Sequence, residues 1–290
     1  MTWEETIKFI RTQPEYKDLV KFAYFEEDLQ LNVERFKNDE EFHETKNLIR
    51  SIIPLNSSVR LLDIGSGNGI SAVAFAMEGI QVDSVEPDPS ETIGAGAIRK
   101  LKENYKLSNL QVHQGFAEEL NFPDNTYDIV YTRQCMHHAQ ELPQFIKECA
   151  RVLKKGGLLI TVRDHVIYNQ KDKQWFLETH PLQKFYGGEN AFSVKEYRKA
   201  MTDVGFDIKR EYKHFENVIN YFPLKAEQKK NREIEYEGFV TGLIKRKLGI
   251  LIKIKLLKKI ATEYVESKLG LPFDETKIPG RMYTFLAINK

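Results

Sequence analysis

Apolar and polar positions along this chain follow two different rhythms, and the changes between them mark out its parts. Residues 1–52 scatter Trp3, Phe9, Tyr16, Phe22, Tyr24, Phe25, Phe36 and Phe42 among many charges, a helical texture that predicts an N-terminal helical lid. Pro54 and Asn56-Ser57-Ser58 break it with turn-forming residues. From Val59 short apolar runs alternate with helical stretches. Strands are predicted at Val59–Ile64, Val82–Val85, Leu110–His113, Tyr127–Thr132 and Leu158–Val162. Helices are predicted at Ile70–Glu78, from about Ser90 to Tyr105, and at Leu142–Leu153, the last closed by Gly156-Gly157 as a C-cap. Strand and helix in strict alternation predict an α/β fold, a doubly wound and mostly parallel sheet covered on both faces.

Beyond Arg163 the rhythm loosens. Residues 164–192 carry no clear period, then a helix at Ser193–Val204 and a strand at Phe206–Tyr212 restore it. Residues 224–270 are lysine-rich and helical in texture, and Met282–Ile288 alternates as a last strand. The expected organisation is a lid over 1–52 and a core over 53–215 that contains a substrate loop at 164–192. A helical cap insertion over 216–275 and a final core strand within 276–290 complete it. The lysines of Lys245–Lys259 spread around the helical wheel, which suits stems lying over apolar surface better than a membrane-seeking face.

Composition narrows the classes. The 290 residues are 41% hydrophobic and 29% charged, with a net charge of +1, so no overall field marks a nucleic-acid binder. Cys135 and Cys149 are too few and wrongly spaced for a zinc cluster, and Cys149 reads as a buried thiol. The charged first segment lacks a signal-peptide core, and no run approaches the ~18 apolar residues of a membrane span. A cytoplasmic protein without stable membrane insertion, nucleic-acid partner or metal is expected; the oligomeric state is open.

The candidate chemistry begins at Leu61-Leu62-Asp63-Ile64-Gly65-Ser66-Gly67-Asn68-Gly69, a strand running into a glycine-rich turn that opens a helix. Glycines there permit positive φ and close approach of a ligand. Glu86 stands at the end of the next strand, where a carboxylate can accept from both hydroxyls of a ribose. A dinucleotide fingerprint requires glycine at position 70, which is Ile70. Asp63 would repel a pyrophosphate but could order the turn and meet a cationic amino-acid tail. The charge pattern favours a sulfonium cofactor.

Four motifs in order then carry a specific resemblance: LLDIGSGNG at 61–69, VEPD at 85–88, FAEELNFPDNTYDIVYTRQCMHH at 116–138 and RVLKKGGLLITV at 151–162. Over residues 59–165 the chain resembles the class I S-adenosylmethionine-dependent methyltransferases, in particular the branch of ubiquinone/menaquinone and small-molecule methyltransferases. The resemblance implies a seven-stranded Rossmann-like methyltransferase fold and S-adenosyl-L-methionine as cofactor. Asp63, Gly65, Ser66 and Gly67 would flank the methionine moiety, Glu86 would hold the ribose, and Pro87 would line the adenine pocket. Ala117 would offer backbone contacts to the adenine. Many relatives have Asp where this chain has Phe116, which would stack on the ring or wall it off. Arg133 would sit near the amino-acid end of the cofactor or near the substrate.

Methyl transfer needs alignment and exclusion of water more than a base. His137 and His138 follow the fourth strand, where one could deprotonate an acceptor or simply pack at the junction. Asp164 and His165 occupy a similar rim, as substrate contacts or polar loop. His180, Tyr186 and Asn190 sit in a stretch of aromatic, cationic and amide groups that suits a substrate-contacting loop or an ordered turn. Tyr24 and Phe25 are either lid walls or core packing. The expected activity is methyl transfer to a small-molecule acceptor at O, N or C. A non-catalytic cofactor-binding module and a nicotinamide oxidoreductase are the rivals.

Overall fold

In the computed structural model of the protein, which describes residues 1–180, 182–248, 255–269 and 281–290, strand β1 (Arg60–Ile64) runs through the middle of the sheet. It is flanked by β2 (Gln81–Val85) and β4 (Tyr127–Arg133), with β3 (Leu110–His113) outside β2, all parallel. On the other side β5 (Leu153–Ile167) pairs parallel with β4, and β8 (Met282–Asn289) inserts antiparallel between β5 and β7 (Phe206–Tyr212). The order is β3-β2-β1-β4-β5-β8-β7, and a two-residue β6 (Phe192–Ser193) pairs with the far end of β5. The expected doubly wound, mostly parallel sheet is present, with seven strands along its main path.

Alternation along each strand feeds two cores. Leu61, Ile129, Tyr131, Leu158, Ile160 and Val162 face one side, where they meet α5 (Ile70–Met77), α6 (Ala95–Asn104) and the N-terminal helices. Leu62, Ile64, Val130 and Leu159 face the other, against α7 (Leu142–Val152) and α9 (Val194–Asp203). Each fully buried aliphatic side chain contributes about 1.5–3 kcal/mol, so both faces are strongly fixed. Because α5 and α7 pack on opposite faces, the connections that leave the carboxyl ends of the paired neighbours β1 and β4 diverge. That is the crevice where doubly wound sheets bind ligands.

The first fifty residues divide their work. Helices α3 (Leu29–Asn38) and α4 (Glu40–Arg50) pack on the sheet through rings in series, Tyr24–Phe36–Phe42–Phe75–Tyr131, with centroids 5.0–5.4 Å apart. Helices α1 (Trp3–Arg11) and α2 (Lys17–Phe22) instead pack Ile7, Ile10 and Val20 against Ile93 and Leu182 above the carboxyl ends of the strands.

Three local expectations need correction. The helix after β4 ends at Val152, and Leu153 is already extended and paired with Tyr127, so Gly156-Gly157 is not its cap. Those glycines belong to the start of β5, where a Cβ on Gly157 would stand 2.8 Å from the Lys154 carbonyl oxygen. The helix expected from about Ser90 begins at Ala95. Before it, the Ser90 amide turns back onto Asp88 Oδ1 at 2.8 Å, and a Cβ on Gly94 would lie 2.2 Å from the Asp88 carbonyl oxygen. The stretch 164–192 holds the end of β5, helix α8 (Gln170–Thr179) and β6. Asn169 caps α8 by accepting from the Asp172 amide.

The remaining elements are a short α10 (Val218–Tyr221), α11 (Ala226–Leu248) and α12 (Lys255–Leu269), the last two packed through Ile244 and Val265. Of the expected cap insertion, 249–254 and 270–275 lie outside the described residues, as do Pro181 and 276–280. Among the described residues no helix is long and apolar enough to cross a membrane.

Candidate active site

The glycine turn is built by hydrogen bonds from beneath. Gly65, Gly67 and Gly69 all have positive φ, +67°, +54° and +85°, which glycine adopts without a Cβ penalty. Gly65 is also hemmed in: a Cβ there would lie 2.2 Å from Cys135 Sγ. At Gly67 the space is open, with nothing within 4 Å of an added Cβ. Ser66 Oγ donates to the Asp63 carbonyl, Ser71 Oγ donates to Asp63 Oδ2 at 2.6 Å, and Ser84 Oγ donates to Ser66 Oγ. Asp63 is fully buried and orders the turn, and burial pushes its carboxyl up to about 7 despite the Ser71 hydrogen bond.

Glu86 closes the other wall. Its Oε2 accepts from the Gly67 amide at 2.7 Å and its Oε1 from the Asp88 amide at 3.0 Å. Burial raises this carboxyl to about 7 as well. An acceptor-only carboxylate beside an open glycine backbone matches a ribose diol, whose two hydroxyls can both donate to it. The residues present therefore fit an adenosine cofactor.

Pro87 is half-buried and its carbonyl accepts from Gln114 Nε2. Phe116 is 61% exposed while Ala117 packs into the core. A cleft of about 170 Å³ lined by Val85, Gln114, Gly115 and Leu120 opens beside them. Arg133 turns to the N-terminal side of the sheet's crevice. Its guanidinium holds Glu41 of α4 and lies over the Tyr24 and Phe36 rings. Tyr24 itself is core packing, fully buried, and its carbonyl accepts from Asn68 Nδ2 of the glycine turn at 2.6 Å.

Beyond the ends of β4 and β5 the structure gathers histidines from three parts of the chain. His137 is buried, with Nδ1 3.1 Å from Asp164 Oδ1 and Nε2 3.6 Å from Glu189 Oε2. Burial alone would push this imidazole down, but Asp164 and Glu189 outweigh it and raise it to about 9. His138, its side chain 41% exposed, stacks on it at 4.1 Å, with Nδ1 3.2 Å from the Gly188 carbonyl oxygen, and is pushed down by partial loss of hydration among its neighbours and by His137. His165 lies edge-on to His137 and His180 at 4.8 and 5.6 Å. His180 Nδ1 faces Glu189 Oε1 at 3.4 Å. Five of the expected site residues, His137, His138, Asp164, His165 and His180, are thus brought together.

Tyr186 and Asn190 fall differently. Tyr186 is exposed and stacks on Trp3 of α1 at 5.2 Å. Asn190 is spent on scaffolding: its side chain accepts from Lys173 Nζ and donates to the Ala139 carbonyl, tying the loop to the turn after β4.

Three important residues escaped the sequence reading. Glu189 stands among the histidines, Glu41 neutralises Arg133, and Cys135 sets the space at Gly65. Glu41 and Cys135 act on Arg133 and Gly65, 92 and 70 positions away, and Glu189 faces His137 and His138 from more than 50 positions away, so periodicity carries no sign of them.

Comparison with known proteins agrees with this geometry. Residues 62–161 match a family described as a methyltransferase domain. An uncharacterized methyltransferase of Bacillus subtilis is 32% identical over 143 residues, 46% of this chain and 52% of the relative. The ubiquinone/menaquinone biosynthesis C-methyltransferase of Vibrio parahaemolyticus is 31% identical over 104 residues, 36% of this chain and 40% of that one. The chain thus spans about half, or less, of the length of these curated relatives. Among solved structures, a geranyl diphosphate C-methyltransferase from Streptomyces coelicolor superposes with a TM-score of 0.56 at 14% identity, covering 86% of this chain and 77% of that chain. That likeness is one of fold.

Proposed function

We propose that this chain, whose residues 62–161 are a methyltransferase domain of the Rossmann-like class I fold, transfers a methyl group from S-adenosylmethionine to a small-molecule acceptor at O, N or C. The observation that carries the reading is the Gly67 amide donating to the Glu86 carboxylate, at the carboxyl ends of β1 and β2. Bound S-adenosylmethionine supplies an electrophilic methyl on a cationic sulfur that leaves readily.

The chain's own part is to bind, align and keep water out. Glu86 would accept from the ribose hydroxyls, the Gly65–Gly67 backbone would lie along the methionine moiety, and Pro87, Phe116 and Ala117 would wall the adenine. His137, His138, Asp164, His165 and His180 would face the acceptor. Alignment contributes up to about 7–11 kcal/mol, against a factor of about 10²–10⁴ from a base, so positioning is the larger share.

A small acceptor is supported by enclosure. The Glu86 and Glu189 carboxylates are both almost wholly buried, and α1 meets the 182–186 segment over the crevice. A net charge of +1 offers little attraction to a phosphate backbone. Calorimetric titration with S-adenosylhomocysteine tests the cofactor site, and one saturable site per chain is expected. Folded protein without affinity would end the reading. Binding without formation of S-adenosylhomocysteine from the methyl donor, across a panel of small phenols, amines and acids, would favour a non-catalytic module instead.

A further inference from the structure

The chemistry of the histidine cluster goes beyond what methyl transfer requires. His137 and His138 come from the single turn after β4, Glu189 from the approach to β6, and Asp164 from the outer half of β5. We propose that His137, His138 and Glu189 form a binding site for a divalent transition-metal ion, with Asp164 as the carboxylate that orients His137.

Distances make the first argument. His137 Nε2 and His138 Nδ1 stand 3.6 and 3.8 Å from the same oxygen, Glu189 Oε2, and the ligand atoms of the three residues all lie within 4.8 Å of one another. These separations are longer than a hydrogen bond of about 2.7–3.2 Å. Ligands bound at about 2.0–2.2 Å in tetrahedral array stand roughly 3.3–3.6 Å apart. The His137–Glu189 separation falls at the edge of that range, and the other pairs need only close by an ångström or so around an ion, whereas none is short enough for a shared proton.

The second argument is an orphaned atom. The Glu189 side chain is only 5% exposed, and its Oε2 has no hydrogen-bond partner among the described residues. Leaving a buried carboxylate oxygen unmatched costs about 1–3 kcal/mol or more. The His137 imidazolium faces this oxygen only from 3.6 Å, whereas a metal ion between the three groups would bind it directly.

Asp164 supplies the third. Its Oδ1 accepts from the His137 amide and lies 3.1 Å from His137 Nδ1. With an ion in place of the Nε2 proton, Nδ1–H directed at Asp164 would turn the Nε2 lone pair to the ion, the carboxylate–histidine–metal arrangement that fixes a ligating tautomer. His138 must carry its proton on Nε2 to ligate through Nδ1, giving up its contact with the Gly188 carbonyl. His180, 3.4 Å from Glu189 Oε1, holds the other end of the carboxylate.

Two imidazoles and one carboxylate favour zinc, iron(II), cobalt or nickel over magnesium or calcium, which prefer all-oxygen sites. Three protein ligands leave a position open. An acceptor oxygen or nitrogen would fill it; that assignment rests on the transferase reading, whereas the ion site itself does not.

The test uses full-length protein stripped with chelator and titrated with cobalt(II) and with zinc(II). Expected are one ion per chain, visible absorption bands of low-coordinate cobalt, and at least a tenfold loss of affinity in both His137→Ala and Glu189→Gln. The exposed His43→Ala variant serves as control and should bind as the parent does. S-adenosylhomocysteine titration of each variant reports separately on the cofactor site, so loss of ion binding and loss of the transferase reading are distinguishable. Parent protein that takes up neither ion, or whose affinity is unmoved by both substitutions, overturns the proposal. The cluster would then be a proton-bridged carboxylate–imidazole pair.

Discussion

Arg133 grips Glu41 with two prongs, Nε to Oε1 at 2.5 Å and Nη2 to Oε2 at 3.0 Å, across 92 residues of chain. The pair lies in the seam between α4 and β4, and Arg163 adds a second cation 3.7 Å from the same carboxylate. Burial would raise the Glu41 carboxyl, but the two guanidiniums outweigh it and hold it below its ordinary value. The bond that fastens the N-terminal helices to the sheet is therefore electrostatic as well as apolar.

An ordering of mutants follows from that triad. Arg133→Met leaves Glu41 with Arg163, and should cost about 3–5 kcal/mol, the range for breaking a buried pair. Glu41→Gln strands two buried cations and should cost more. Urea denaturation of the two variants checks the order, and Arg133→Met as the more damaging change would contradict it. Because the Glu41 carboxyl is depressed in the fold, its contribution is present above the ordinary carboxylate range. It is lost as pH falls through the folded value.

Glu86 behaves in the opposite sense. Burial raises it to about 7, so its contribution to the free protein is complete below about 4.5 and is lost as pH climbs through 7. Ribose hydroxyls donate, and so favour the ionised form. Affinity for S-adenosylhomocysteine should therefore rise between pH 6 and pH 8, with proton release on binding at pH 6. Glu86→Gln should flatten this profile and weaken binding at pH 8 by about 1–3 kcal/mol. Calorimetry in buffers of different ionisation heat measures both, and a variant as pH-dependent as the parent would refute the ribose assignment.

The two glycines of the turn should respond unequally to a methyl group. Gly65→Ala combines a positive φ with a Cβ 2.2 Å from Cys135 Sγ, whereas Gly67→Ala meets nothing within 4 Å. Gly65→Ala should lower the melting temperature by several degrees and abolish cofactor binding. Gly67→Ala should cost the ligand-free protein only the left-handed backbone penalty of about 1–2 kcal/mol. Equal losses in the two would show that conformation, not crowding, sets the requirement.

The sheet was legible because its signals are local. Leu61 and Leu62 alternate faces within one strand, and Gly65, Gly67 and Gly69 declare the turn. Helix α8 was not legible. Among its residues only Asp172 and Phe176 are buried, and Asp172 is there to pair with the fully buried Arg281, 109 residues onward. The histidine cluster was half legible, since His137, His138, Asp164 and His165 sit at predicted strand ends. Glu189 offered no period, motif or cap to mark it. Arg133 was read near the cofactor's amino-acid end or the substrate because its position after β4 is visible in sequence, while its partner Glu41 lies on a helix that periodicity cannot orient.

Helix α1 and the 182–186 segment, the two halves of the proposed covering, meet at Trp3 and Tyr186, whose rings are 5.2 Å apart and tilted by 51°. The contact is reinforced by the Met1 amino group donating to the Phe185 carbonyl at 3.2 Å and by Ser90 Oγ donating to Glu4 at 2.9 Å. Such a ring pair contributes about 0.5–1.5 kcal/mol beyond its burial, enough to bias opening but not folding. Neither residue touches the main cores of the sheet, so Trp3→Ala should leave global unfolding within about 1 kcal/mol of the parent. Opening should become several-fold more frequent, exposing the 182–190 segment to limited proteolysis and speeding release of bound S-adenosylhomocysteine. If α1 covers the ligand, cofactor analogue will protect the parent from cleavage far more than it protects Trp3→Ala. Identical cleavage rates with and without ligand in both proteins would mean that this covering is fixed scaffold, and that entry to the site runs by another route.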